Sequence, residues 1–404
     1  MTAAPDPSDP PGIAARLAAE GLRRPSAEAL LGALGAELSA RGAPVLHMHV
    51  THSALHPVYG GLGYHWRRPA PEAVRQTYSH RDTPDRAWTE SPFHHMLARR
   101  LARYREALGP AAPRSRFPAL EERRADGATD YLAAGLLFSG VDMPADLDPD
   151  DPPEGMFVSW TTDAPGGFDA AALALLDAAV EPLALALRSL ADRETARRLL
   201  EVYLGADAGR RVLSGEIRRG DVRTLDAVIL AFDLAGFTAL TETLAGDAVV
   251  ALLNARLGPA VEAVDAEGGT VLKFLGDGLL AIFDRGARPD AADAAIAAAL
   301  GIEAAMARLD AGGARLGYGV ALHAGPVMYG NVGAPARLDF TVIGPAVNAA
   351  ARIQDLTRRL GRRVVVSAEV ARDAGRFRGR LLPLGPYGLR GVSGETELFA
   401  LRPG

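Results

Sequence analysis

A single lysine is the most informative chemical feature of this 404-residue chain, because every other basic residue among its 44 lysines and arginines is an arginine. Lys273 lies in the segment Val271–Gly278. A compact ammonium can contact one atom on the edge of a ligand in a way that a wide, planar guanidinium cannot. The alternative is that this lysine reflects drift in an arginine-rich composition.

Two aspartates stand beside glycines where apolar strands are predicted to end. Asp233 follows the apolar segment 227–232, and Asp277 lies between Gly276 and Gly278 in a predicted hairpin turn. Carboxylates at such positions suit Mg²⁺, which prefers oxygen ligands and keeps water and substrate phosphates in its other positions. Two such ions can stabilise the attacking and the leaving oxygen of a phosphoryl transfer. Either aspartate alone is more commonly a turn residue.

Asn348 and Arg352 are spaced i, i+4, so both side chains project from one face of a predicted helix. An amide there can orient a sugar, and a guanidinium can neutralise charge that develops on a phosphoryl group. An isolated pair of this kind is more often a solvated helix face.

The elements that must position these residues alternate between strands and helices. From about residue 224 to the end we predict the order β-α-α-β-β-α-β-β-α-β, with hairpin turns at Gly276-Asp277-Gly278 and at Gly325-Pro326. A helix over Pro345–Leu360 carries Asn348 and Arg352. This order is typical of an α+β fold with a ferredoxin-like sandwich.

From Asp226 onward the chain resembles the catalytic domain of the class III adenylate and guanylate cyclases. The matching segments are Phe232–Thr238, Lys273–Phe283 and Leu338–Arg352. Because several motifs occur in the order that the family requires, the resemblance is specific.

The resemblance assigns a role to each site residue. It implies that Asp233 and Asp277 bind two metal ions, Mg²⁺ or Mn²⁺, and that Asn348 and Arg352 are the catalytic residues that orient the ribose and stabilise the transition state. It implies that the substrate-binding residues are Lys273, Thr341 and Arg363. Of these, Lys273 and Thr341 contact the base, and Arg363, by a weaker match, holds the terminal phosphates.

The chemistry of the base edge favours ATP. Lys273 can donate to N1 of adenine, and the Thr341 hydroxyl can accept from the exocyclic amine. Guanine presents a donor at N1, so a lysine there would face another donor, and unpaired polar groups make such sites selective. Guanylate-specific relatives typically carry glutamate at the lysine position. Threonine at 341 resembles the class IIIb subgroup, for which bicarbonate stimulation is a hypothesis here.

The resemblance implies an adenylate cyclase that converts ATP to 3′,5′-cyclic AMP and pyrophosphate. In this family the active site is shared between two protomers, so we expect a homodimer. Guanylate cyclase activity and a catalytically silent nucleotide-binding module remain alternatives. A diguanylate cyclase would need a Gly-Gly-(Asp/Glu)-Glu-Phe turn, whereas the sequence here is Leu275-Gly276-Asp277-Gly278.

The first half of the chain predicts a separate domain. Residues 1–12 are expected to be a disordered tail, residues 13–168 a GAF-like α/β sensor domain for an unknown small molecule, and residues 169–223 a connecting signalling helix and connector. Eight of the nine histidines lie in residues 13–168. A metal or haem site there is an alternative to packing and surface histidines. In the helix, Leu176, Val180, Leu183, Leu187 and Leu190 step 4-3-4-3, which predicts either a parallel coiled-coil seam or a helix docked on its own domain.

Composition limits the remaining possibilities. The formal net charge is −5 and cysteine is absent, so we expect neither a nucleic-acid partner nor disulfides and thiolate metal sites. Acidic residues and Pro182 interrupt the longest apolar run, so no membrane segment is predicted. We expect a soluble, cytoplasmic protein.

Overall fold

The computed structural model describes residues 12–23, 26–53, 59–79, 86–138, 148–150, 154–312, 315–392 and 394–402. The chain divides into two compact units, Met1–Arg198 and Leu199–Gly404. The predicted disordered tail lies outside the described residues except for Gly12.

The first unit is an α/β domain built on one antiparallel sheet. Its elements are α1 (Ile13–Arg23), α2 (Ala27–Ala40), β1 (Val45–Ser53), β2 (Tyr59–Arg67), β3 (Val74–Ser79), α3 (Arg86–Thr89), α4 (Pro92–Arg99), β4 (Arg103–Ala107), α5 (Pro118–Ala125), β5 (Asp130–Leu137), β6 (Gly155–Thr162) and α6 (Ala170–Leu204). The strand order is β3-β2-β1-β6-β5-β4. One face packs with α1, α2 and α6 around Trp66 and Trp160, and the other packs with α4 and α5 around Phe93 and Phe117. That the domain is GAF-like stays a prediction.

Helix α6 begins after Asp169, whose side chain accepts a hydrogen bond from the backbone N–H of Ala172 at 2.7 Å. The apolar stripe that could have formed a coiled-coil seam faces inward: Leu176 and Leu183 are fully buried in the core of the first unit. The coiled-coil interpretation of this stripe is therefore wrong. The sequence could not distinguish the two alternatives, because a helix that docks on its own sheet needs the same spacing.

By length and composition, α6 is also apolar enough to cross a membrane. The core helix of a soluble domain meets the same criterion. Seven of its apolar residues are buried in the first unit, so the composition of α6 already has a structural explanation.

The second unit has the predicted α+β fold. Its elements are α7 (Ala206–Leu213), β7 (Val222–Ala235), α8 (Phe237–Thr241), α9 (Gly246–Ala266), β8 (Thr270–Leu275), β9 (Gly278–Asp284), α10 (Ala291–Gly312), β10 (Gly317–Ala334), β11 (Arg337–Ile343), α11 (Pro345–Leu360), β12 (Val364–Ser367), α12 (Ala368–Asp373), a 3₁₀ turn (Arg378–Arg380), β13 (Leu381–Gly388) and β14 (Glu395–Leu401). The sheet order is β13-β14-β12-β10-β7-β9-β8, and β11 pairs with β10. Strands β7, β8, β9 and β10 are the first to fourth strands of its core. They lie side by side in the order β10-β7-β9-β8, that is 4-1-3-2, which is the ferredoxin-like arrangement.

The predicted hairpin turn at Gly325-Pro326 is wrong, because β10 runs straight through it. Pro326 pairs with Asp226 on β7. On the other side of β10, β12 pairs with residues 320–322 and β11 with residues 328–334. Pro326 falls between them, where β10 needs no backbone donor, so a proline is tolerated inside a long strand. The hairpin is formed instead by β10 and β11.

Two cores lie on opposite faces of this sheet. Helices α9, α10 and α12 cover one face and pack against alternate residues of β7, including Leu230 and Phe232. Helix α11 covers the other face through Ala349, Ala350 and Ile353. Asp233 follows Phe232 and so points to the face that α11 covers.

Candidate active site

The two aspartates lie side by side at one end of the sheet. Asp233 on β7 is directly opposite Gly278 on β9, and Asp277 precedes that glycine in the two-residue β8–β9 turn. Gly276 has a φ of +65°, which suits glycine at a tight hairpin turn. A Cβ on residue 278 would lie 2.4 Å from the carbonyl oxygen of Phe232. Glycines on both sides of Asp277 therefore allow the close approach of the two carboxylates.

Burial and a neighbouring like charge act together on Asp233. Burial, followed by repulsion from Asp277, raises the pKa of Asp233 to about 6. Arg358 and a hydrogen bond from Gln354, both on α11, act in the opposite direction and do not overcome the increase. Like charges at close range favour binding of a cation.

This donor set fits a divalent ion that is completed by its substrate. No group of three or more His, Cys, Asp or Glu side chains able to hold a metal ion occurs among the described residues. A pair of carboxylates is nevertheless the usual protein share of a Mg²⁺ site in nucleotide enzymes, since phosphates and water fill the other positions. Asp233 and Asp277 are the residues that would hold it.

The raised pKa of Asp233 predicts a stability effect that can be measured without activity. Between the ordinary value of 3.8 and the folded value of about 6, the folded state binds the proton more tightly than the unfolded state. Stability should therefore fall as pH rises through this window and stay lower above it. We expect Asp233→Asn to raise the melting temperature of the metal-free protein by a few degrees at about pH 7.5 and hardly at all below about pH 4.

Mg²⁺ gives the control for this experiment. It should raise the melting temperature of the unmodified chain and have much less effect on the Asp233→Asn variant. Equal melting temperatures at neutral pH would show that the pKa of Asp233 is not raised in the folded protein.

Lys273 belongs to a second group of candidate site residues, which lie on β8 and β11. Lys273 follows a bulge in β8, and its Nζ donates a hydrogen bond to Asp339 Oδ2 on β11 at 3.0 Å. Thr341 follows two residues later on the same face of β11. Its side chain is buried, and its Oγ1 atom has no hydrogen-bond partner. A buried hydroxyl without a partner is costly, which makes it a candidate to contact a ligand.

Asn348 and Arg352 are exposed on α11, on the side away from its buried Ala349, Ile353 and Leu356. Pro345 occupies the first turn of this helix, where its missing N–H is no loss. Arg352 makes one weak contact, with Asp355 Oδ2 at 3.3 Å. The Arg352 side chain is 47% exposed and accessible to a ligand.

Arg363 is not brought to the other site residues. Its guanidinium lies over the ring of Tyr318 at 5.4 Å, and Tyr318 belongs to the core on the α10 side of the sheet. Burial raises the pKa of Tyr318 to about 12, with a further contribution from Glu303 of α10. Arg363 therefore lies on the face opposite α11, and this placement does not support its assignment to the terminal phosphates.

Three neighbours of the site were not identified from the sequence. Asp339 contacts Lys273, and Gln354 and Arg358 act on Asp233. A signal existed for the last two, since they are spaced i, i+4 on α11 just as Asn348 and Arg352 are. Asp339 precedes Thr341 by two residues, which places both on one face of a strand.

Three histidines of the first unit, His47, His49 and His65, lie close together on β1 and β2. The rings of His49 and His65, opposite each other on β1 and β2, stack at 4.1 Å, and burial lowers the pKa of His49 to about 3. Burial, followed by the nearby arginines Arg123 and Arg67, lowers the pKa of His47 to about 4. His56 and His80 lie outside the described residues. The remaining histidines supply packing and hydrogen bonds.

The second half of the chain is similar to known proteins. Residues 221–402 match the family model described as the adenylate and guanylate cyclase catalytic domain. A protein of Anabaena cylindrica named adenylate cyclase is 34% identical over 162 residues, which cover 39% of this chain and 32% of the relative. An uncharacterized protein of Mycobacterium tuberculosis is 36% identical over 197 residues, covering 46% of this chain and 35% of the relative. The chain thus spans about a third of the length of these curated relatives.

Among solved structures, a bacterial light-regulated adenylyl cyclase is 27% identical, with a TM-score of 0.48, over 55% of this chain and 63% of that one. The family match begins at Asp221, immediately before β7, and ends at Arg402, immediately after β14. Residues 221–402 are therefore a class III adenylate and guanylate cyclase catalytic domain.

Proposed function

We propose that this domain converts ATP to 3′,5′-cyclic AMP and pyrophosphate, at sites shared by two copies of the chain. One observation carries the proposal. The cyclase domain keeps a full set of reactive groups in usable positions, with Asp233 and Asp277 adjacent and Asn348 and Arg352 exposed on one helix face. A domain that only bound nucleotide would not need all four.

Recognition of adenine is assigned to Lys273 and Thr341. The ammonium of Lys273 donates to N1, and the unpartnered Thr341 hydroxyl accepts from the exocyclic amine. Guanine would set its N1–H against the ammonium, so that two donors would face each other. This complementarity supports ATP over GTP.

In the reaction, the ribose 3′-hydroxyl releases its proton to water and its oxygen bonds to the α-phosphorus. The bond between the α-phosphorus and the bridging oxygen of pyrophosphate breaks, and pyrophosphate leaves with that electron pair. Asn348 orients the ribose, and Arg352 neutralises the charge that develops on the α-phosphoryl oxygens. Asp233 and Asp277 are the residues that would hold divalent ions, Mg²⁺ or Mn²⁺, and these ions would supply Lewis-acid chemistry when bound.

The faces of α11 support the proposal that two copies share the site. In one chain Asp233 lies beside Gln354 and Arg358. Gln354 is two residues from Arg352, a rotation of about 200° around a helix, so the two side chains point in nearly opposite directions. Arg352 is therefore turned away from the aspartates of its own chain, and both Arg352 and Asn348 are exposed and available to those of another copy.

The direct test is to incubate the purified protein with ATP or GTP and Mg²⁺ or Mn²⁺ and to identify the products by mass spectrometry. We expect cyclic AMP and pyrophosphate, and little cyclic GMP. Cyclic GMP as the main product would favour a guanylate cyclase. Nucleotide binding without any cyclic product would indicate a silent signalling module.

Lys273→Glu should lower kcat/KM for ATP by about 10- to 100-fold, because a carboxylate would face the N1 acceptor of adenine. The loss for GTP should be much smaller. Lys273→Met, which adds no charge beside Asp339, should shift the ATP to GTP ratio in the same direction with an unchanged melting temperature. A ratio that stays constant in both variants would remove Lys273 from base selection.

We also propose that the first unit regulates the cyclase domain as a sensor, in the cytoplasm, where ATP is available. Helix α6 supports this, since its buried residues belong to the first unit while its last residues, Leu199–Leu204, belong to the second. A chain that begins at Leu199 should turn over ATP at a different rate from the full chain. Equal rates and an equal response to added metabolites would indicate a spacer.

A further inference from the structure

The base-reading lysine does not stand alone in the structure. Its Nζ donates to Asp339 Oδ2 at 3.0 Å, across the 66 residues that separate them in sequence. This contact joins β8 to β11, two strands that are not paired in the sheet. One of the three N–H groups of the ammonium is thus occupied, and two remain for a ligand.

Asp339 and Thr341 are placed to act together. Phe340 and Val342, which alternate with them on β11, are buried in the core beneath α11. Asp339 and Thr341 therefore lie on the opposite face of the same strand, two residues apart. An ammonium fixed on Asp339 is held within one strand repeat of the unpartnered Thr341 hydroxyl.

The contact is too exposed to matter much for folding. The Lys273 side chain is 33% exposed and that of Asp339 is 57% exposed. Ion pairs at such positions contribute little to stability. A long lysine stem without a partner, in contrast, samples many rotamers and must be ordered when a ligand binds. The value of this pair is therefore in orientation.

We propose that Asp339 is a positioning residue for nucleotide selection: it holds the Lys273 ammonium in place beside Thr341 before the base arrives. This inference rests on the proposed function, because it assigns the pair to reading adenine. Asp339 does not contact the reacting atoms. It removes the cost of ordering Lys273 from the binding of ATP.

The expected effect is moderate and selective. Asp339→Ala should lower kcat/KM for ATP by about 2- to 10-fold, which corresponds to ordering one flexible side chain. The change should appear mainly in KM, and the ATP to GTP ratio should fall. Asp339→Asn should recover most of the loss, since its amide oxygen still accepts from Nζ.

The experiment uses the full chain and a double-mutant cycle. Asp339→Ala is made alone and in the Lys273→Met background, and kcat and KM are measured for both nucleotides. Without the ammonium, Asp339→Ala should have no further effect. Asp290→Ala is the matched control, because Asp290 pairs with Arg288 at 2.7 Å and is 62% exposed on the same unit. It should leave both kinetic constants unchanged.

Melting temperatures identify any variant whose loss comes from folding, and Asp339→Leu, which also lacks an acceptor for Nζ, then replaces Asp339→Ala in the cycle. This inference alone would be overturned if the unmodified chain turns over ATP and the Asp339 variants have the same KM and the same ATP to GTP ratio. The same would follow if the losses from Asp339→Ala and Lys273→Met simply multiplied. An unmodified chain that forms no cyclic nucleotide would instead reject the proposed function and this inference together.

Discussion

A one-to-one mixture of Asp233→Ala and Arg352→Ala proteins should recover about a quarter of the unmodified activity, although each variant alone is inactive. If two copies share each site, half of the randomly paired dimers are mixed, and each mixed dimer has one intact site of two. The intact site takes its aspartates from one chain and its arginine from the other. Product formation after subunit exchange measures the recovery.

Asp233→Ala mixed with Asp277→Ala is the control, because both aspartates belong to the same half of the site. This mixture should remain inactive at every ratio. Labelled chains must show that exchange has taken place. If exchange is complete and the Asp233→Ala and Arg352→Ala mixture still makes no cyclic AMP, each chain must build its site alone.

Replacement of the arginine should give the second largest effect. We expect Arg352→Ala to lower kcat by about 10²- to 10³-fold with little change in KM, since its charge is needed mainly when the transition state forms. Steady-state kinetics with ATP gives both constants. Arg352→Lys should not restore the rate, because a point charge cannot replace a planar group with several donors.

Arg362→Ala is a suitable control for this measurement. Arg362 is exposed just beyond α11 and has no assigned role in the reaction. Its removal should leave kcat unchanged. A rise in KM with constant kcat for Arg352→Ala would instead make the arginine a simple binding residue.

The parts of the fold that the sequence predicted well are those decided by neighbours in the chain. Helix α11 begins at Pro345 and ends at Leu360, as predicted, because proline suits its first turn and Gly361 in the left-handed region ends it. The β8–β9 turn around Asp277 follows in the same way from its two glycines.

The failures concern partners that are distant in sequence. Gly325-Pro326 has the composition of a turn, and only the gap between β11 and β12 explains why β10 continues. The apolar stripe of α6 could pack equally well on a sheet or on a second helix. It packs on the sheet of the first unit, which the spacing alone could not predict. Arg363 has a suitable charge, but its position over Tyr318 depends on the packing of α10.

The candidate site shows the same division. The resemblance to the cyclase family predicts Asp233, Asp277, Asn348 and Arg352 as a group, and their roles stay predictions. The contact between Lys273 and Asp339 could not be predicted, because it joins two strands that are not neighbours in the sheet. Contacts of this kind arise only when the whole sheet has folded.

The partial exposure of Lys273 has a practical consequence. It carries the only side-chain primary amine in the sequence, and 33% of that side chain is accessible. An acylating reagent can therefore modify only this position and the amino terminus. Mass spectrometry can compare the extent of acylation at Lys273 with and without nucleotide. A bound nucleotide at the proposed site should protect Lys273, so this comparison would measure occupancy independently of catalysis.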